Sequence, residues 1–528
     1  MRVALVLAGE GSVYGSSFGF TVPPLAAAYL AAVTVERGAD VRFFDSVARQ
    51  QDLRTLALEV TSYDPDMVGF LMNTSASHKA SVGLGRVLKR VCGSLIIAGG
   101  HHATFTYPIL LREGFDVVVL GEGEETFSEL LKVYAEGASF REVRGLTYMD
   151  GGEVRVTKPR SPVEDLNRLP LPRYDVFDRA LYRAGLLDPH ASVAPLETSR
   201  GCPYNCEYCS ATRMWGRSWR FKIAERVVEE LKTIYRLRYR WVFIVDDNFI
   251  IPVKKVLEEK LRLLDMIAGS YLSRLRYIIQ VRADLIARNK WIVRRLRDAG
   301  VRVVFLGLES GDPGTLKKMR KGSSTDVGVE AVKSLVSEGM IVHAGFILGA
   351  PYEGRKGMRK TLTYAYGLAE YLDSVQFSIY TPLPGTDSFV KALREGSLLT
   401  LDWSLYDVHT PVMKTYMDPV ELFIRDRLAY YTFFLIKSVK HFKNALRRGI
   451  RRTRHREKDT YIGNAVRYVV RHLPLYLNWL VKLPEEAFRV KKALKKGVDQ
   501  ATLELLRRLY VANHIAALKN LPSGQSSV

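Results

Sequence analysis

The chain alternates short apolar runs with amphipathic helical runs, and this alternation limits its fold more than any other feature. In residues 1–140 the pattern predicts helices between five strands, at Val3–Leu7, Val41–Phe44, Met67–Leu71, Leu95–Ala98 and Val117–Leu120. Strands joined by helices pair in parallel, and the helices cover both faces of the sheet. We therefore predict an α/β protein that begins with a doubly wound, Rossmann-like domain. Ligands of such domains bind at the carboxyl ends of the strands.

Residues 196–400 repeat the alternation with six strands. They are predicted at Leu196–Ser199, Trp241–Val245, Leu275–Val281, Val301–Leu308, Ile341–Leu348 and Ser374–Tyr380. A full eight-unit barrel typically needs about 250 residues, so we predict a partial, open (β/α)6 barrel. Residues 141–195 are interpreted as a linker. The strand pattern fades near residue 400, and residues 401–528 are predicted to form a basic, mostly helical C-terminal domain.

Three of the four cysteines lie close together after the first predicted barrel strand: Cys202, Cys206 and Cys209. Three thiolates can hold three irons of a [4Fe–4S] cluster and leave the fourth iron open to a substrate or cofactor. A structural zinc site needs four ligands, usually in two pairs, and the remaining Cys92 is distant in sequence. Four cysteines in a chain of 528 residues do not indicate a disulfide scaffold either.

The spacing Cys-x3-Cys-x2-Cys, with the aromatic Tyr208 before the last cysteine, resembles the signature of the radical S-adenosylmethionine (SAM) family. The resemblance implies that Cys202, Cys206 and Cys209 bind a [4Fe–4S] cluster, beside Tyr208, and that SAM chelates the fourth iron through its amino and carboxylate groups. One electron, from a ferredoxin- or flavodoxin-type donor, then cleaves SAM to methionine and a 5′-deoxyadenosyl radical. That radical abstracts hydrogen from an unactivated carbon.

Polar residues after the later barrel strands resemble the SAM-binding positions of the same family. Asp246 and Asp247 stand where the family contacts the SAM amino group, although its usual Gly-Glu pair is replaced here. The resemblance also implies that Arg282 pairs with the SAM carboxylate and that Glu309 and Ser310 contact the ribose. The alternative for each acid is a helix N-cap.

The run Gly345–Gly349 matches the Gly-x-Ile-x-Gly of the family, whose backbone packs against adenine. Gly345, Ile347 and Gly349 are therefore expected to contact SAM. Asp326, in contrast, begins a predicted helix and is interpreted as its N-cap.

Three stretches of the first domain resemble the cobalamin-binding domain that is fused to radical SAM domains: Pro23–Leu30, Gly99–Thr104 and Leu120–Glu125. The resemblance implies cobalamin contacts by Gly99, Gly100, His101, His102, Gly121 and Glu122. The Asp-x-His-x-x-Gly motif that supplies a histidine to cobalt in other cobalamin proteins is absent, so we expect no protein histidine on the metal. The alternatives are a nucleotide or flavin binder of similar architecture and, for the two histidines, a polar loop role.

The formal net charge is +22, which indicates an anionic partner. Lys437–Lys458 carries ten Lys and Arg against one Glu, and aromatic residues flank it on both sides. We predict that residues 428–496 attach reversibly to an anionic membrane. A helical cap with a solvated basic face is the alternative, and nucleic acid is disfavoured because no RNA-binding module accompanies the basic stretch. No export signal is visible, which predicts a cytoplasmic location, peripheral on the inner face of the membrane.

Taken with the resemblance, these features predict a radical SAM enzyme that acts on a hydrophobic or lipid-like substrate. Two routes stay open: cobalamin-dependent methylation, and formation of a C–C bond or ring. The alternatives are an RNA- or peptide-modifying methylase or methylthiotransferase and a non-catalytic scaffold. A methylthiotransferase normally needs further cysteines for a second cluster, and only Cys92 is spare.

Overall fold

The computed structural model describes residues 1–9, 20–185, 187–449 and 481–511. The strands are β1 Arg2–Leu7, β2 Asp40–Asp45, β3 Met67–Leu71, β4 Leu95–Gly99, β5 Val117–Val119, β6 Leu146–Asp150, β7 Glu153–Val156, β8 Val193–Leu196, β9 Ser199–Arg200, β10 Arg220–Phe221, β11 Trp241–Ile244, β12 Arg276–Arg282, β13 Val301–Glu309, β14 Ile341–Leu348 and β15 Ser374–Ile379.

The helices of the first two domains are Leu25–Glu36, Ser46–Arg49, Leu53–Tyr63, His78–Cys92, His101–Arg112, Glu124–Ala135, Ala211–Trp215, Ala224–Arg236, Lys254–Ala268, Ala283–Arg288, Lys290–Asp298, Pro313–Lys318, Thr325–Ser337, Gly354–Gly367 and Asp387–Glu395. C-terminal to these lie the helices Pro419–Gly449 and Gln500–Val511, and residues 481–494 are also helical.

The N-terminal sheet has the strand order β2-β1-β3-β4-β5-β6-β7, and its first five strands are parallel. Alternate residues of β1 show why helices cover both faces. Val3 and Leu5 pack into one apolar core, and Ala4 and Val6 pack into the other. The doubly wound prediction is confirmed.

This sheet runs past the predicted domain end at residue 140. β6 and β7 form an antiparallel hairpin that extends it within the predicted linker, and the hairpin turns at Gly151 and Gly152, whose φ angles are 59° and 84°. Glycine adopts such left-handed angles without strain. At the other end of the predicted linker, β8 begins the second sheet at Val193.

The second sheet is a six-stranded parallel sheet in the order β15-β14-β13-β12-β11-β8, as the predicted partial barrel requires. Helix Pro419–Gly449 covers its edge strand β15. The Tyr430 hydroxyl accepts a hydrogen bond from the Phe377 N–H and donates one to the Phe377 carbonyl, both at 2.9 Å. Asp326 is not an N-cap, contrary to expectation, because the helix begins one residue earlier and the Ser324 side chain caps it.

Alternate residues of β14 and β15 face two environments. Phe346 packs on Tyr364 of helix Gly354–Gly367, and Phe377 packs on Tyr430, so these side chains point outward to the helices. The intervening residues share the opposite face, toward the barrel interior: His343, Gly345, Ile347, Ser374, Gln376 and Ser378.

The amino-terminal end of the barrel interior is closed by a segment of the first domain. Phe20 packs against Phe243 and Phe305, with ring centroids 6.0 and 6.3 Å apart. At the other end of the chain, the Tyr510 hydroxyl accepts from the Gly385 N–H and donates to the Phe105 carbonyl. Phe20 and Tyr510 therefore each connect the two sheet domains.

The basic run Lys437–Lys458 lies partly outside the described residues. Residues 461–480, which make up most of the aromatic stretch after it, also lie outside them. Within the described part of the chain, every helix is too short or too polar to cross a bilayer.

Candidate active site

The cysteine loop follows β9 through a turn that only glycine allows. Gly201 has φ of 99°, and a Cβ there would overlap the carbonyl oxygen of Ser218. The loop then folds back on itself, because the Cys209 N–H donates to the Cys206 carbonyl at 3.2 Å. All three motif cysteines are free thiols.

The three thiols are close enough to influence one another's ionisation. Burial raises the pKa of Cys202 to about 11 and that of Cys209 to about 12, and the neighbouring cysteines add to both shifts. Within the described ranges, no three His, Cys, Asp or Glu side chains surround a single metal position. In a [4Fe–4S] cluster each cysteine would bind a different iron, and the cationic irons would stabilise the thiolates.

Glu207, between the second and third cysteines, anchors the loop to the barrel. Its carboxylate accepts hydrogen bonds from Tyr352 at 2.5 Å and Tyr380 at 2.6 Å, which follow β14 and β15. Its backbone carbonyl accepts from the Ser388 N–H. Sequence reasoning missed this residue, although an acid within a cysteine motif is a signal that could have drawn attention to it.

Asp246 and Asp247 have opposite surroundings. The Asp246 carboxylate accepts from the backbone and hydroxyls of Thr198 and Ser199 and pairs with Lys260 at 3.0 Å. Asp247 faces the cavity between the domains. Burial, together with Asp246 and Glu197, raises the pKa of Asp247 to about 7. The predicted contact with the SAM amino group therefore has an open carboxylate only at Asp247.

Arg282 lies against the cysteine loop. Its guanidinium stacks 3.7 Å from the centre of the Tyr204 ring and donates to Asp284 at 2.9 Å and to the Lys321 carbonyl. The side chain is buried and already paired, so the structure places it as a support of the loop. Its contact with the SAM carboxylate stays a prediction.

Glu309 has a left-handed backbone with φ of 60°, and the register between β13 and β14 shifts beside it. Such strain in a non-glycine residue is typical of functional sites. Its carboxylate pairs with Lys321 at 2.8 Å. Burial and Glu309 together raise the pKa of Tyr208, so the predicted aromatic residue is close to this carboxylate. Ser310 is fully buried and bonds to Thr361 at 2.9 Å.

Gly345 and Ile347 lie on the interior face of β14, and Gly349 follows the strand end. Gly349 has φ of 76°, and a Cβ there would lie 2.6 Å from the Leu422 side chain. Its N–H donates to Glu353 at 2.7 Å. Glu353 was also missed from the sequence, and it fixes the turn where the predicted adenine contact ends.

A cavity of about 510 Å³ separates the carboxyl edges of the two sheets. Its N-terminal wall contains the predicted cofactor residues Gly99, Gly100, His101, Gly121 and Glu122, and its barrel wall contains Glu197, Arg200, Asp247 and Gln280. A Cβ at Gly100 would overlap Asn73 and approach the Met72 carbonyl to 3.0 Å. The glycine lets the start of helix His101–Arg112 pack closely against the residues after β3, and the backbone of Gly99 and Gly100 forms part of the cavity wall.

The two predicted histidines, His101 and His102, lie in different surroundings. His101 lines the cavity and contacts the Ser210 backbone, its buried Nε2 has no hydrogen-bond partner among the described residues, and burial lowers its pKa to about 4. His102 instead lies behind the wall. It bonds to Ser75 at 2.9 Å and to His78 at 2.8 Å, and His78 continues the chain to Glu113. His102 therefore holds the β3 and β4 loops together and is absent from the cavity wall.

Five charged side chains join the domains, and we call them the interdomain ion cluster: Arg200, Arg220, Glu122, Glu124 and Glu197. Arg200 lies two residues before Cys202 and pairs with Glu122 at 3.0 Å, Glu124 at 2.5 Å and Glu197 at 2.9 Å. Glu122 thus touches both the cavity and the strand that leads into the cysteine loop. The cluster fixes the first domain relative to that loop.

These features define a class of protein: a radical SAM barrel with a loop of three free cysteines, joined to a cobalamin-binding domain that shares a cavity with the barrel. Family models agree, since the Radical SAM superfamily matches residues 196–365 and the B12 binding domain matches residues 11–131.

An uncharacterized methyltransferase of Pyrococcus horikoshii is 32% identical over 466 residues, which cover 85% of this chain and 97% of the relative. Hopanoid C-3 methylase of Methylococcus capsulatus is 31% identical over 383 residues, which cover 72% of this chain and 70% of the relative. Among solved structures, the cobalamin-dependent SAM radical enzyme OxsB superposes with a TM-score of 0.64 at 16% identity, over 97% of this chain and 84% of OxsB, and shows the shared fold.

The chain belongs to the family of radical SAM enzymes that carry a cobalamin-binding domain. Its cofactors are a [4Fe–4S] cluster, SAM and cobalamin. The three thiols fit the cluster, and the cavity wall of glycines with the buried His101 Nε2, unpaired among the described residues, fits cobalamin. When bound, the cluster supplies the electron that cleaves SAM; the chain itself holds the loop, orients the two domains and encloses the space between them.

Proposed function

We propose that the enzyme methylates an unactivated carbon of a hydrophobic, lipid-like substrate. The observation that carries this proposal is the apolar wall of the interdomain cavity. Aliphatic and aromatic side chains from both domains line it, among them Val22, Leu71, Val119, Phe243 and Val245. Burying such surface contributes about 25 cal/mol per Å², so an apolar molecule gains affinity from the wall itself.

The position of the cavity supports methyl transfer. It lies between the glycine edge of the cobalamin-binding domain and the barrel residues Asp247 and Gln280. A substrate held there has one cofactor site on each side, and cobalamin supplies a methyl carrier to such a reaction. Two relatives that are described as a methyltransferase and a methylase support this route.

The test supplies reconstituted, cobalamin-loaded enzyme with lipid extract and with SAM that carries a deuterated methyl group. We expect a lipid product that gains one deuterated methyl group, detected by mass spectrometry and absent with the Cys206→Ala variant. A product that has lost two hydrogens and carries no label would establish ring formation instead. Label in RNA or peptide, and none in lipid, would support the alternative substrates.

We further propose reversible attachment to the anionic inner face of the cytoplasmic membrane and reduction by a ferredoxin- or flavodoxin-type protein. Leu428, Leu435 and Val439 lie on one face of helix Pro419–Gly449 and are 42%, 66% and 45% exposed. Spacings of seven and four residues align side chains on a helix. Each nearby basic residue adds about 1 kcal/mol of attraction to an anionic surface, which salt screens.

Flotation with neutral and anionic vesicles across a salt series tests the attachment. Leu435→Gln should reduce recovery with anionic vesicles, and Leu58→Gln is the matched control because Leu58 is 63% exposed in the first domain. Equal recovery with both kinds of vesicle, or tighter binding to RNA, would contradict the attachment.

A further inference from the structure

The interior face of β14 and β15 carries a continuous row of polar side chains. The Ser374 hydroxyl and His343 Nδ1 are 2.7 Å apart, and Gln376 lies within hydrogen-bonding reach of the same imidazole. The Gln376 amide then donates to the Ser378 hydroxyl at 3.1 Å. We call Ser374, His343, Gln376 and Ser378 the barrel ladder.

The protonation state of His343 and the effect of Gln376 on its pKa indicate the direction of these hydrogen bonds. Burial lowers the pKa of His343 to about 3, so its ring is neutral and has one donor and one acceptor nitrogen. Gln376 raises the pKa of His343, as an acceptor of the imidazole N–H does, so we assign one ring nitrogen as the donor to the Gln376 carbonyl oxygen and Nδ1 as the acceptor from Ser374. The Gln376 amide keeps a second N–H, and the Ser378 hydroxyl keeps its hydrogen.

Neither of these two donors has an acceptor among the described residues. Both side chains are partly exposed although they face the barrel interior, so they border open space there. Two adjacent donors on a wall without a protein acceptor match an oxygen atom of a ligand.

The charges around the ladder indicate which kind of oxygen it can take. The closest ionised groups in register on the barrel interior are already paired, Arg282 with Asp284 and Glu309 with Lys321. A carboxylate or an ammonium group placed at Gln376 would be buried without a free counterion, which is strongly unfavourable. A hydroxyl or carbonyl oxygen meets no such penalty.

The opposite part of the interior is apolar. Ile278 of β12 and Phe243 of β11 share the interior face with Phe305, and Phe20 closes the amino-terminal end. The part of a ligand that lies along these side chains must therefore be apolar.

We propose that Gln376 and Ser378 dock an uncharged, oxygen-bearing end of an otherwise apolar substrate. This proposal rests on the proposed function and adds a substrate class to it: an amphiphile with a hydroxyl or carbonyl group, whose apolar body extends toward the interdomain cavity. The two residues determine specificity and orient the substrate.

Calorimetric titration of the reconstituted holoenzyme with octan-1-ol, octanoate and octylammonium tests the docking. Octan-1-ol should bind most tightly, and the double variant Gln376→Leu, Ser378→Ala should weaken it by about tenfold, the effect of losing two neutral hydrogen bonds. Ser378→Ala alone removes one oxygen atom and should give a smaller loss in a protein that remains folded. Ser337→Ala, exposed on helix Thr325–Ser337, is the matched control and should change nothing.

Equal octan-1-ol affinity in the wild type and the double variant would overturn the proposal, as would tightest binding of octanoate or octylammonium. A weaker SAM affinity in the double variant, with octan-1-ol binding unchanged, would also overturn it and assign the ladder to SAM. Docking without a methylated lipid product would leave this site intact and refute the proposed function. A methylated product that the double variant forms as well as the wild type would support the proposed function and refute the docking site.

Discussion

The interdomain ion cluster and the barrel mouth both contain buried charged groups, but the two regions satisfy them differently. Every member of the cluster has an ion-pair partner from the chain, and Arg200 alone contacts three carboxylates. At the barrel mouth, Asp247 lines the interdomain cavity, and the three cysteines are partly exposed free thiols. Groups that are paired with charged side chains hold the domains together, and groups without a charged partner in the chain are available to a ligand.

The neighbours Asp246 and Asp247 show the same contrast within two residues. Asp246 is paired and hydrogen-bonded on both oxygens, so it fixes the end of β8 beside the cysteine loop. Asp247 points into the cavity with a raised pKa. Raised carboxyl pKa values at a cavity wall are a common mark of functional sites.

The largest expected effect belongs to the open cysteines. Cys206→Ala should abolish both cluster iron and 5′-deoxyadenosine formation, because two cysteines cannot hold the cluster. Cys92→Ala, at the end of helix His78–Cys92, should leave both unchanged. Iron analysis and chromatography of the SAM products measure the outcome. Persistent 5′-deoxyadenosine in the Cys206 variant would refute the assigned role of this loop.

Removing a charge from the interdomain ion cluster should lower the free energy of unfolding. Arg200→Met leaves three buried carboxylates short of their shared partner, and loss of one partner from a buried ion pair typically destabilises by about 3–5 kcal/mol. Urea unfolding measures the change. Arg173→Met is the matched control, since its pair with Asp175 is exposed and such pairs contribute about 0–1 kcal/mol. Equal losses of stability in the two variants would show that the buried cluster contributes no more than an exposed ion pair.

Asp247→Asn should weaken SAM binding by about tenfold or more, the usual effect of losing a charge-assisted hydrogen bond. In the cofactor-free protein, the same variant should also change how stability depends on pH. The folded-state pKa of about 7 lies above the value of about 3.9 in unfolded chains, so stability is lost as the pH rises through 7. Asp247→Asn should therefore raise the melting temperature above pH 7 and change it little near pH 4. A pH-independent difference would contradict the raised pKa.

The smallest expected effect is that of Glu207→Gln. An amide keeps one acceptor oxygen for Tyr352 or Tyr380 but loses the charge, so we expect about 1–2 kcal/mol of lost stability. Iron content should stay close to that of the wild type, because the three cysteines are untouched. Thermal unfolding and iron analysis of the same sample separate the two effects, and complete loss of iron would place Glu207 among the requirements for cluster assembly.

Much of the fold could be predicted from local sequence. Strands Met67–Leu71 and Ile341–Leu348 were predicted at their observed bounds, because buried parallel strands are continuous apolar runs between glycine and polar turns. The β6–β7 hairpin was harder to assign to a domain. Its Gly-Gly turn was visible, but its pairing with β5 depends on contacts between distant residues.

For the site, the sequence by itself determined the cysteine spacing, the glycines that permit left-handed turns, and the order of strand ends around the barrel. These are local properties, set by covalent spacing and allowed backbone angles. The tertiary structure decided which of two adjacent residues is used. Strand register and domain packing turn Asp247 and His101 into the cavity, and they enclose Asp246 and His102 among partners from other elements. The same packing brings Glu122 to Arg200 across 78 residues of sequence. No local pattern encodes such contacts, because their energy depends on where the two domains meet.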